Sequence, residues 1–179
     1  MGAYFDELSR SMINLAKDPR TLFIGQAVSS PGTAMYGTLE GISLDKRLEF
    51  PVAEEFQMGA SIGMSMTGLV PVSIYPRWNF LLLAMNQLVN HLDKIQLMTN
   101  NKPLGHVIVR TSIGSERPLH PQSQHVGDFT DAIRLMCRSV EVVRLEEPNQ
   151  IFSAYSHALN RDDGVSSILV EYGDFYSEK

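Results

Sequence analysis

The chain has 179 residues, of which 44% are hydrophobic and 20% are charged, and its formal net charge is −5. This composition excludes an intrinsically disordered chain, and the length is sufficient for one domain with a sizeable core. The negative charge excludes nucleic acid as the main partner, because phosphate binding depends on clustered Lys and Arg side chains.

Helix and strand signals alternate along the chain. Apolar residues at helical spacing over 5–17 predict a first helix, and the apolar run TLFIG at 21–25 predicts a buried strand. The elements that follow in chain order are a loop at 29–38, a helix at 54–68, a strand at 70–75, a helix at 79–95, a strand at 106–112, a loop at 114–128, a helix at 129–138, a strand at 141–146, a helix at 148–160 and a strand at 166–172. Because apolar strands separated by helices form parallel sheets covered on both faces, the pattern predicts one α/β domain over residues 1–179. We expect three layers, α/β/α, around a mostly parallel sheet of about six strands.

The cysteine content and the apolar runs indicate a location. Cys137 is the only cysteine, so no disulfide can form within the chain and a reducing compartment is expected. The N-terminal MGAYFDELSR lacks the apolar region of a signal peptide. The longest apolar run, FLLLAM at 80–85, is too short to cross a membrane. We therefore expect a cytoplasmic protein without a membrane partner.

Candidate site residues follow the predicted strands, because parallel sheets bind ligands at the carboxyl ends of their strands. These residues are the segment 26–36 (which begins with Gln26), Glu54, the segment 75–80 and the segment 120–125. The sequence therefore predicts one site that is formed by several loops at one edge of the sheet.

Two adjacent acids, Glu54 and Glu55, stand at the start of the predicted helix in LEFPVAEEFQMGASIGMS (48–65). A glutamate in a first helical turn is favoured by the helix dipole whatever its function. Two features favour a role in proton exchange instead: the position after a strand and the apolar neighbours. No metal ligand or obvious nucleophile lies beside these acids.

Other motifs give weaker functional signals. Gly59-Ala60-Ser61-Ile62-Gly63 matches the GxSxG nucleophile elbow, which needs a strand that ends at the serine, so a small α/β hydrolase using Ser61 is one alternative. The preceding EEFQM favours a helix, in which the same glycines form a GxxxG stripe that lets a neighbouring helix approach closely. His120 and His125 lack a third metal ligand at suitable spacing, and Cys137 lies on an apolar helical face typical of a core residue.

Several segments together resemble one enzyme family. PVAEEFQMGASIGMSMTGLVPV (51–72) resembles the PISE…G…G segment in the beta subunit of the 2-oxo acid dehydrogenase decarboxylating component, a transketolase-like enzyme that depends on thiamine diphosphate. WNFLLLAMNQLVNH (78–91) is similar to the family's aromatic-x-aromatic segment and its D-Q-x-V-N helix, with Asn86 in place of Asp. LHPQSQH (119–125) resembles the family's H-S-Q loop. The resemblance runs from the first helix to the final strand and implies the same fold.

This resemblance implies roles for individual residues. Glu54 matches the glutamate that hydrogen-bonds the aminopyrimidine ring of the cofactor and promotes loss of the thiazolium proton. Phe80 matches the aromatic residue that stacks on that ring, and an ordinary core phenylalanine is the competing interpretation. His120 is the best match to the histidine on the substrate side, with a polar loop residue as its alternative. Glu55 matches a variable position and is expected to be structural.

Three further residues are expected to bind the cofactor. Tyr75 and Trp78 stand at the end of the strand 70–75, and Gln26 stands in the turn after the first strand. The family's turn usually reads G-E-D, whereas this chain has Gly25-Gln26-Ala27. A substrate or cofactor contact at this turn is therefore expected to differ from that of the family.

The resemblance also implies partners. The chain ends at Lys179, before the C-terminal domain of the beta subunit, and it lacks the GDG…N segment that holds Mg²⁺ and the diphosphate of thiamine diphosphate in the family's other half. We expect a split enzyme whose active site lies between this chain and a diphosphate-binding subunit, assembled as a dimer of such pairs. Its reaction would be decarboxylation of a 2-oxo acid with acyl transfer or, alternatively, transketolase-type ketol transfer on sugars. A non-catalytic structural subunit is the remaining alternative within the family.

Overall fold

The structure, a computed structural model, describes residues 2–117 and 120–177. Its strands are β1 (Thr21–Gly25), β2 (Arg47–Glu49), β3 (Val70–Tyr75), β4 (Ile108–Ile113), β5 (Val140–Arg144) and β6 (Ser166–Tyr172). They form one six-stranded sheet in the order β2-β1-β3-β4-β6-β5. Every neighbouring pair of strands is parallel. This topology confirms the predicted fold class.

Helices cover both faces of the sheet. They are α1 (Ala3–Ala16), α2 (Ala34–Gly37), α3 (Glu54–Ser65), α4 (Trp78–Leu81), α5 (Ile95–Met98), α6 (Thr130–Met136) and α7 (Pro148–Leu159). Leu8 of α1 and Tyr155 of α7 belong to the core on one face, and Met58 of α3 and Ile133 of α6 belong to the core on the other. Each amphipathic helix thus buries its apolar stripe against the sheet and gives three layers. Within the described residues, no helix is both long and apolar enough to cross a bilayer.

The central strand β3 positions the edge of the sheet at which the candidate residues lie. All six residues of VPVSIY are buried, as the uniformly apolar pattern predicts for a strand between two helical layers. In the parallel register Gly25 pairs with Ile74 and Tyr75 pairs with Thr111. The strands β1, β3 and β4 therefore end close together, and the loops that follow them meet.

The helix predicted over 79–95 is wrong as one continuous helix. The region is divided into α4, a 3₁₀ turn at Leu82–Ala84, a π-helical segment at Gln87–Leu92, and α5. Apolar spacing predicts helical structure here, but it does not distinguish successive types of helical turn.

The π-helical segment has a clear structural reason. The Asp93 N–H donates to the Leu88 carbonyl, five residues earlier, at 2.9 Å. This slip accompanies full burial of Asp93, whose Oδ1 accepts the N–H groups of Arg138 and Ser139 at 2.8 and 2.6 Å. A buried carboxylate with two backbone donors offsets the loss of regular helical hydrogen bonds.

The edge strand β2 lies just before Glu54, where the sequence predicts the carboxyl end of a strand without giving its bounds. It has only three residues, and the partly exposed Leu48 gives it no apolar run. Its last residue, Glu49, accepts the N–H groups of Val28 and Ser29 at 3.0 and 2.8 Å, in the turn after β1. These long-range contacts hold the turn that carries Gln26.

Candidate active site

Three depressions adjoin one another near the carboxyl edge of the sheet. The central cavity is small and is lined by Gln26, Glu54, Gln57, Ile74, Tyr75, Pro76 and Phe80. The Glu54 groove, of about 850 Å³, runs outward along α3 and is lined by Ala53, Glu54, Glu55, Phe56, Gly59, Ala60, Leu83 and Gln87. The Arg77 cavity, of about 360 Å³, has walls that include Gln26, Thr33, Arg77, Phe80, Ser115 and Tyr176. Glu54 therefore borders the first two depressions, and Phe80 and Gln26 border the first and third.

Glu54 is a buried acid without a protein partner. It is the first residue of α3, and the residue is only 7% exposed. Within residues 2–117 and 120–177, no donor lies within hydrogen-bond distance of its carboxylate. Its carboxylate oxygens are not among the fully enclosed polar atoms that lack a partner, so they open onto the depressions that Glu54 lines and can accept a hydrogen bond from a donor placed there. The central cavity is the place from which a ligand can supply that donor.

The neighbouring Glu55 is in the opposite situation. It is exposed, and its Oε1 accepts a hydrogen bond from Asn86 Nδ2 at 3.0 Å. Successive residues of a helix point about 100° apart, so only one of two adjacent acids can face the cavity. The structure thus separates the two acids as expected, with Glu54 at the cavity and Glu55 on the surface.

A buried polar network lies below Glu54. The Tyr75 hydroxyl donates to the Glu54 carbonyl at 3.3 Å. Gln57 Nε2 donates to the Ile74 carbonyl at 3.0 Å and to Ser73 Oγ at 3.1 Å. Burial, reinforced by the nearby Glu54 carboxylate, raises the pKa of Tyr75, so this residue remains a neutral donor. These bonds join the first turn of α3 to the end of β3 and fix the position of Glu54.

Gln57 is a site residue that the sequence analysis did not identify. A signal existed, because it lies one helical turn after Glu54, where an apolar residue would be expected to face the sheet. A glutamine at such a position indicates a buried polar contact, but its partners cannot be determined from the pattern alone.

Phe80 lies at the cavity, as predicted, and its nearest histidine ring is that of His125. The two ring centroids are 5.5 Å apart in an edge-on arrangement. Phe80 is only partly buried and lines both the central cavity and the Arg77 cavity, so a ligand in either can contact its ring. His125 ends the 3₁₀ turn Ser123–His125, and its carbonyl accepts a hydrogen bond from Arg77 Nη1 at 2.8 Å.

His120 lies elsewhere on the same loop. Its side chain is 50% exposed, its Nε2 is 3.7 Å from the Glu116 carboxylate, and its Nδ1 accepts the Gln122 N–H at 3.0 Å. It lines none of the three depressions defined above. The predicted loop motif begins at Leu119, which lies outside the described residues. The substrate-side role of His120 stays a prediction, and the geometry offers His125 as the histidine near Phe80.

Trp78 is placed differently from the expectation that it binds the cofactor. Its side chain is fully buried in the core shared by α3 and α6, and it does not line the central cavity. Aromatic residues two apart at a helix start do not face the same way, so only one of Trp78 and Phe80 can border the cavity. The geometry supports Phe80 and assigns Trp78 to packing.

The hydrolase alternative does not fit the structure. Ser61 lies in the middle of α3, is fully buried, and donates to the Gln57 carbonyl at 2.8 Å. A nucleophile elbow needs an exposed serine at a strand-to-helix turn. Cys137 is buried in the core, and burial raises the pKa of its thiol to about 11, which disfavours the nucleophilic thiolate.

The described residues contain no group of three or more His, Cys, Asp or Glu side chains that could hold a metal ion. The acids of the candidate site are separated from one another: Glu54 faces the central cavity alone, whereas Glu55 and Glu49 are engaged by other groups. Among the described residues that line the central cavity, Glu54 is the one carboxylate.

Comparisons with known proteins agree with this geometry. A family model described as the transketolase pyrimidine-binding domain matches residues 7–173. The chain is 27% identical over 116 residues to the 2-oxoisovalerate dehydrogenase subunit beta of Bacillus subtilis (strain 168), an alignment that covers 63% of this chain and 36% of the relative. It is 31% identical over 122 residues to the pyruvate dehydrogenase E1 component subunit beta of Staurastrum punctulatum, covering 65% of this chain and 37% of the relative. The chain thus spans about two fifths of the length of these curated relatives.

Solved structures share the fold. A transketolase from Campylobacter jejuni subsp. jejuni NCTC 11168 matches with a TM-score of 0.72 and 16% identity, covering 93% of this chain and 25% of that chain. A structure titled as a split gene transketolase, inactive beta4 tetramer, matches with a TM-score of 0.69 and 12% identity, covering 94% of this chain and 50% of that chain. At these identities the likeness shows the fold alone.

Proposed function

The chain belongs to the transketolase pyrimidine-binding domain family, and from this premise we propose that it forms the pyrimidine-binding half of a thiamine diphosphate-dependent enzyme. One observation carries the proposal: Glu54 is a buried carboxylate that faces the central cavity without a donor from the described residues. A ring nitrogen of the aminopyrimidine becomes a donor of the required kind when it carries a proton, as it does in the protonated and imino forms of the ring. When bound, the cofactor supplies a carbon nucleophile, and the chain supplies the group that handles its proton.

The side chains that line the central cavity have the chemistry that an aminopyrimidine ring would need. The cavity itself has only about 10 Å³, so the ring would extend into one of the two larger depressions that adjoin it. The Glu54 carboxylate would accept a hydrogen bond from the ring nitrogen once that nitrogen carries a proton, and the exposed part of the Phe80 ring would stack on the heterocycle. Tyr75 and Gln57 hold the first turn of α3, so the Glu54 carboxylate keeps its position while a proton moves. Gln26 borders the same cavity and offers a side-chain amide to the ligand. Burial of Glu54 lowers the local dielectric constant and would strengthen the interaction of its carboxylate with a ring proton.

Decarboxylation of a 2-oxo acid with acyl transfer is the reaction we favour. The curated relatives are named as beta subunits of 2-oxoisovalerate and pyruvate dehydrogenases, at 27% and 31% identity. Ketol transfer on sugars is the second candidate, and it is favoured only by fold likeness to transketolases at 12% and 16% identity. Sequence identity to relatives carries more functional information than a shared fold, so the first reaction ranks higher.

A complementary domain is needed for the cofactor's charged end. We propose that a diphosphate-binding partner with a GDG…N segment supplies the Mg²⁺ site, because diphosphate binding requires a hard cation held by oxygen ligands. That partner can belong to a separate subunit or to the same polypeptide. The longer relatives are named as subunits, which supports an assembly of pairs of unlike chains.

Exchange of the cofactor's thiazolium proton with deuterated water tests the function directly. The chain, its diphosphate-binding partner, Mg²⁺ and thiamine diphosphate are mixed, the reaction is quenched with acid, and the remaining proton is measured by NMR. Exchange faster than in free cofactor supports catalysis. Exchange at the rate of free cofactor in a complex that holds the cofactor would contradict it and favour the structural subunit.

Phe80→Ala tests the stacking role. We expect cofactor affinity in the assembled enzyme to fall by roughly 1–3 kcal/mol, the range found when an aromatic side chain stacks on a base. Calorimetric titration of the cofactor measures this loss. If Phe80 serves only the core, the loss instead appears as about 3–5 kcal/mol of unfolding free energy with unchanged cofactor affinity. Phe5→Ala is the matched control, since Phe5 packs against the core on the other face of the sheet.

The Glu54 groove has the character of a contact surface for another chain. Phe56 and Leu83 are 63% and 61% exposed beside the small residues Gly59 and Ala60. The close helix packing expected from the GxxxG stripe is not made within the described chain, because a Cβ added at Gly63 would meet no atom within 4 Å and one at Gly59 only Gln87, at 3.7 Å. An open small-residue stripe beside exposed apolar side chains favours self-association through this face.

Phe56→Glu tests this self-association. We expect the variant to associate at least tenfold more weakly than the unmodified chain, because burying an unpaired carboxylate costs more than about 1.4 kcal/mol. Sedimentation equilibrium measures the association constant. Leu135→Glu is the control, since Leu135 is 85% exposed on α6 and is not part of the groove. A monomeric unmodified chain at high concentration, or an unaffected Phe56→Glu variant, would contradict the prediction.

A further inference from the structure

The Arg77 cavity lies directly beside the central cavity. The two share Gln26, Pro76 and Phe80, and the volume of the Arg77 cavity, about 360 Å³, suits a small organic molecule. Its position at the carboxyl ends of β3 and β4 is one at which parallel sheets bind ligands. A ligand in this cavity would therefore lie next to whatever occupies the central cavity.

The Arg77 guanidinium donates hydrogen bonds to the described residues through only one of its three nitrogens. Its Nη1 donates to the carbonyls of Ser115 and His125, at 3.3 and 2.8 Å. Across the described ranges, 2–117 and 120–177, no acceptor lies within hydrogen-bond distance of its Nε or Nη2. Partial burial lowers the pKa of its guanidinium, yet the group stays charged at neutral pH. A partly desolvated guanidinium with open donors favours an anion.

The nearest acid does not fill this role. The negative charge of Asp174 raises the pKa of Arg77 without direct contact, since no ion pair joins the two residues within 4 Å among the described contacts. Its Oδ1 instead accepts the N–H groups of Glu116 and Arg117, each at 3.0 Å, and lies 3.7 Å from Arg117 Nε. The charge of Arg77 is therefore not neutralised by a direct contact.

Two further donors border the same cavity. Thr33 Oγ1 accepts the Tyr36 N–H at 3.3 Å, and its own hydroxyl proton has no acceptor among the residues that the structure describes. The Gln26 side-chain amide likewise makes no hydrogen bond within the described ranges. Together with Arg77 they form a small set of donors around one cavity, which is the arrangement expected for a carboxylate or a phosphate.

We propose that Arg77 binds the anionic end of a small ligand in the Arg77 cavity, through a two-pronged contact with a carboxylate or a phosphate. Calling that ligand the substrate rests on the proposed function, since a 2-oxo acid carries the first group and a sugar phosphate carries the second. The anion site itself rests only on the geometry of Arg77, Thr33 and Gln26. Arg77 is thus a specificity-determining residue, and the type of anion it prefers distinguishes the two candidate reactions.

Titration of the isotopically labelled 179-residue chain, without cofactor, tests the site. Sodium pyruvate and, separately, ribose 5-phosphate are added at constant ionic strength, and backbone amide shifts are followed by NMR. We expect saturable shifts at Gln26, Thr33 and Ser115 with at least one of the two anions. Arg77→Gln should weaken that binding about tenfold or more, the range expected when charge-assisted hydrogen bonds are lost. Arg10→Gln, which removes an exposed arginine paired with Glu7 on α1, should leave the affinity unchanged.

Each outcome decides the proposal. Saturation by pyruvate alone indicates a carboxylate site, saturation by ribose 5-phosphate alone indicates a phosphate site, and saturation by both indicates a general anion site. Arg77→Lys keeps the positive charge but cannot donate two parallel hydrogen bonds to one anion. A loss of affinity in this variant supports the two-pronged contact even if Arg77→Gln does not fold. Absence of saturable shifts at these amides, or equal affinity in the unmodified and Arg77→Gln chains, would overturn the proposal. Because no cofactor is present, neither result depends on the outcome of thiazolium proton exchange.

Discussion

Glu54→Gln is expected to slow thiazolium proton exchange in the assembled, cofactor-loaded enzyme by about 10²–10⁴-fold, the usual contribution of a positioned acid–base group. The amide keeps the size and a hydrogen-bonding capacity of the side chain but cannot take up or release a proton near neutral pH. Glu54 is the one acid among the described residues that line the central cavity, so no other carboxylate there can take over its role. Quenched-flow exchange in deuterated water, followed by NMR, measures the rate.

The matched control for this variant is Glu55→Gln. Glu55 is exposed and bonded to Asn86, so its substitution should leave the exchange rate within about twofold of the unmodified enzyme. If both acids serve only the helix dipole, each substitution costs a few tenths of a kcal/mol of unfolding free energy and neither changes exchange. Wild-type exchange in a Glu54→Gln complex that still binds the cofactor would remove Glu54 from catalysis and leave the structural subunit as the leading function.

Much of the fold could be predicted because the strands have a simple physical signature. The bounds predicted for β1, β3 and β6 agree with the structure, since strands buried on both faces are apolar throughout and end at polar or glycine-rich turns. The same reasoning placed Glu54 and Gln26 at one edge, because the carboxyl ends of parallel strands meet there. Edge strand β2 has one exposed side and only three residues, so a strand is expected before Glu54 but its bounds cannot be predicted.

The details of the site depend on contacts that sequence spacing does not encode. Which of two aromatic residues faces the cavity is decided by the turn at the start of α4, and this turn sends Trp78 into the core and Phe80 outward. Which loop histidine approaches Phe80 is decided by the path of a long loop, held at His125 by Arg77. Such contacts join residues far apart in the chain, so no local pattern reveals them.

A buried ion pair holds the strands that form one wall of the Arg77 cavity. Arg110 on β4 and Glu171 on β6 are both fully buried, with Nε–Oε1 and Nη2–Oε2 distances of 2.6 and 3.0 Å. Tyr155 and Tyr176 also donate hydroxyl hydrogen bonds to Glu171. Burial alone lowers the pKa of Arg110, but the Glu171 carboxylate outweighs burial and raises it. The two side chains therefore depend on each other in the buried core.

Glu171→Gln is expected to lower the free energy of unfolding by about 3–5 kcal/mol, because it leaves the Arg110 guanidinium charged and buried without a counter-charge. Chemical denaturation measures this loss. Glu141→Gln is the matched control: Glu141 pairs with Arg161 at 2.8 Å but is 35% exposed, so water replaces the lost contact and the cost stays at about 0–1 kcal/mol. Because Tyr176 bonds Glu171 and also lines the Arg77 cavity, the folded Glu171→Gln protein should also bind small anions more weakly. A loss of stability no larger than that of Glu141→Gln would mean that Arg110 reaches solvent, contrary to its complete burial.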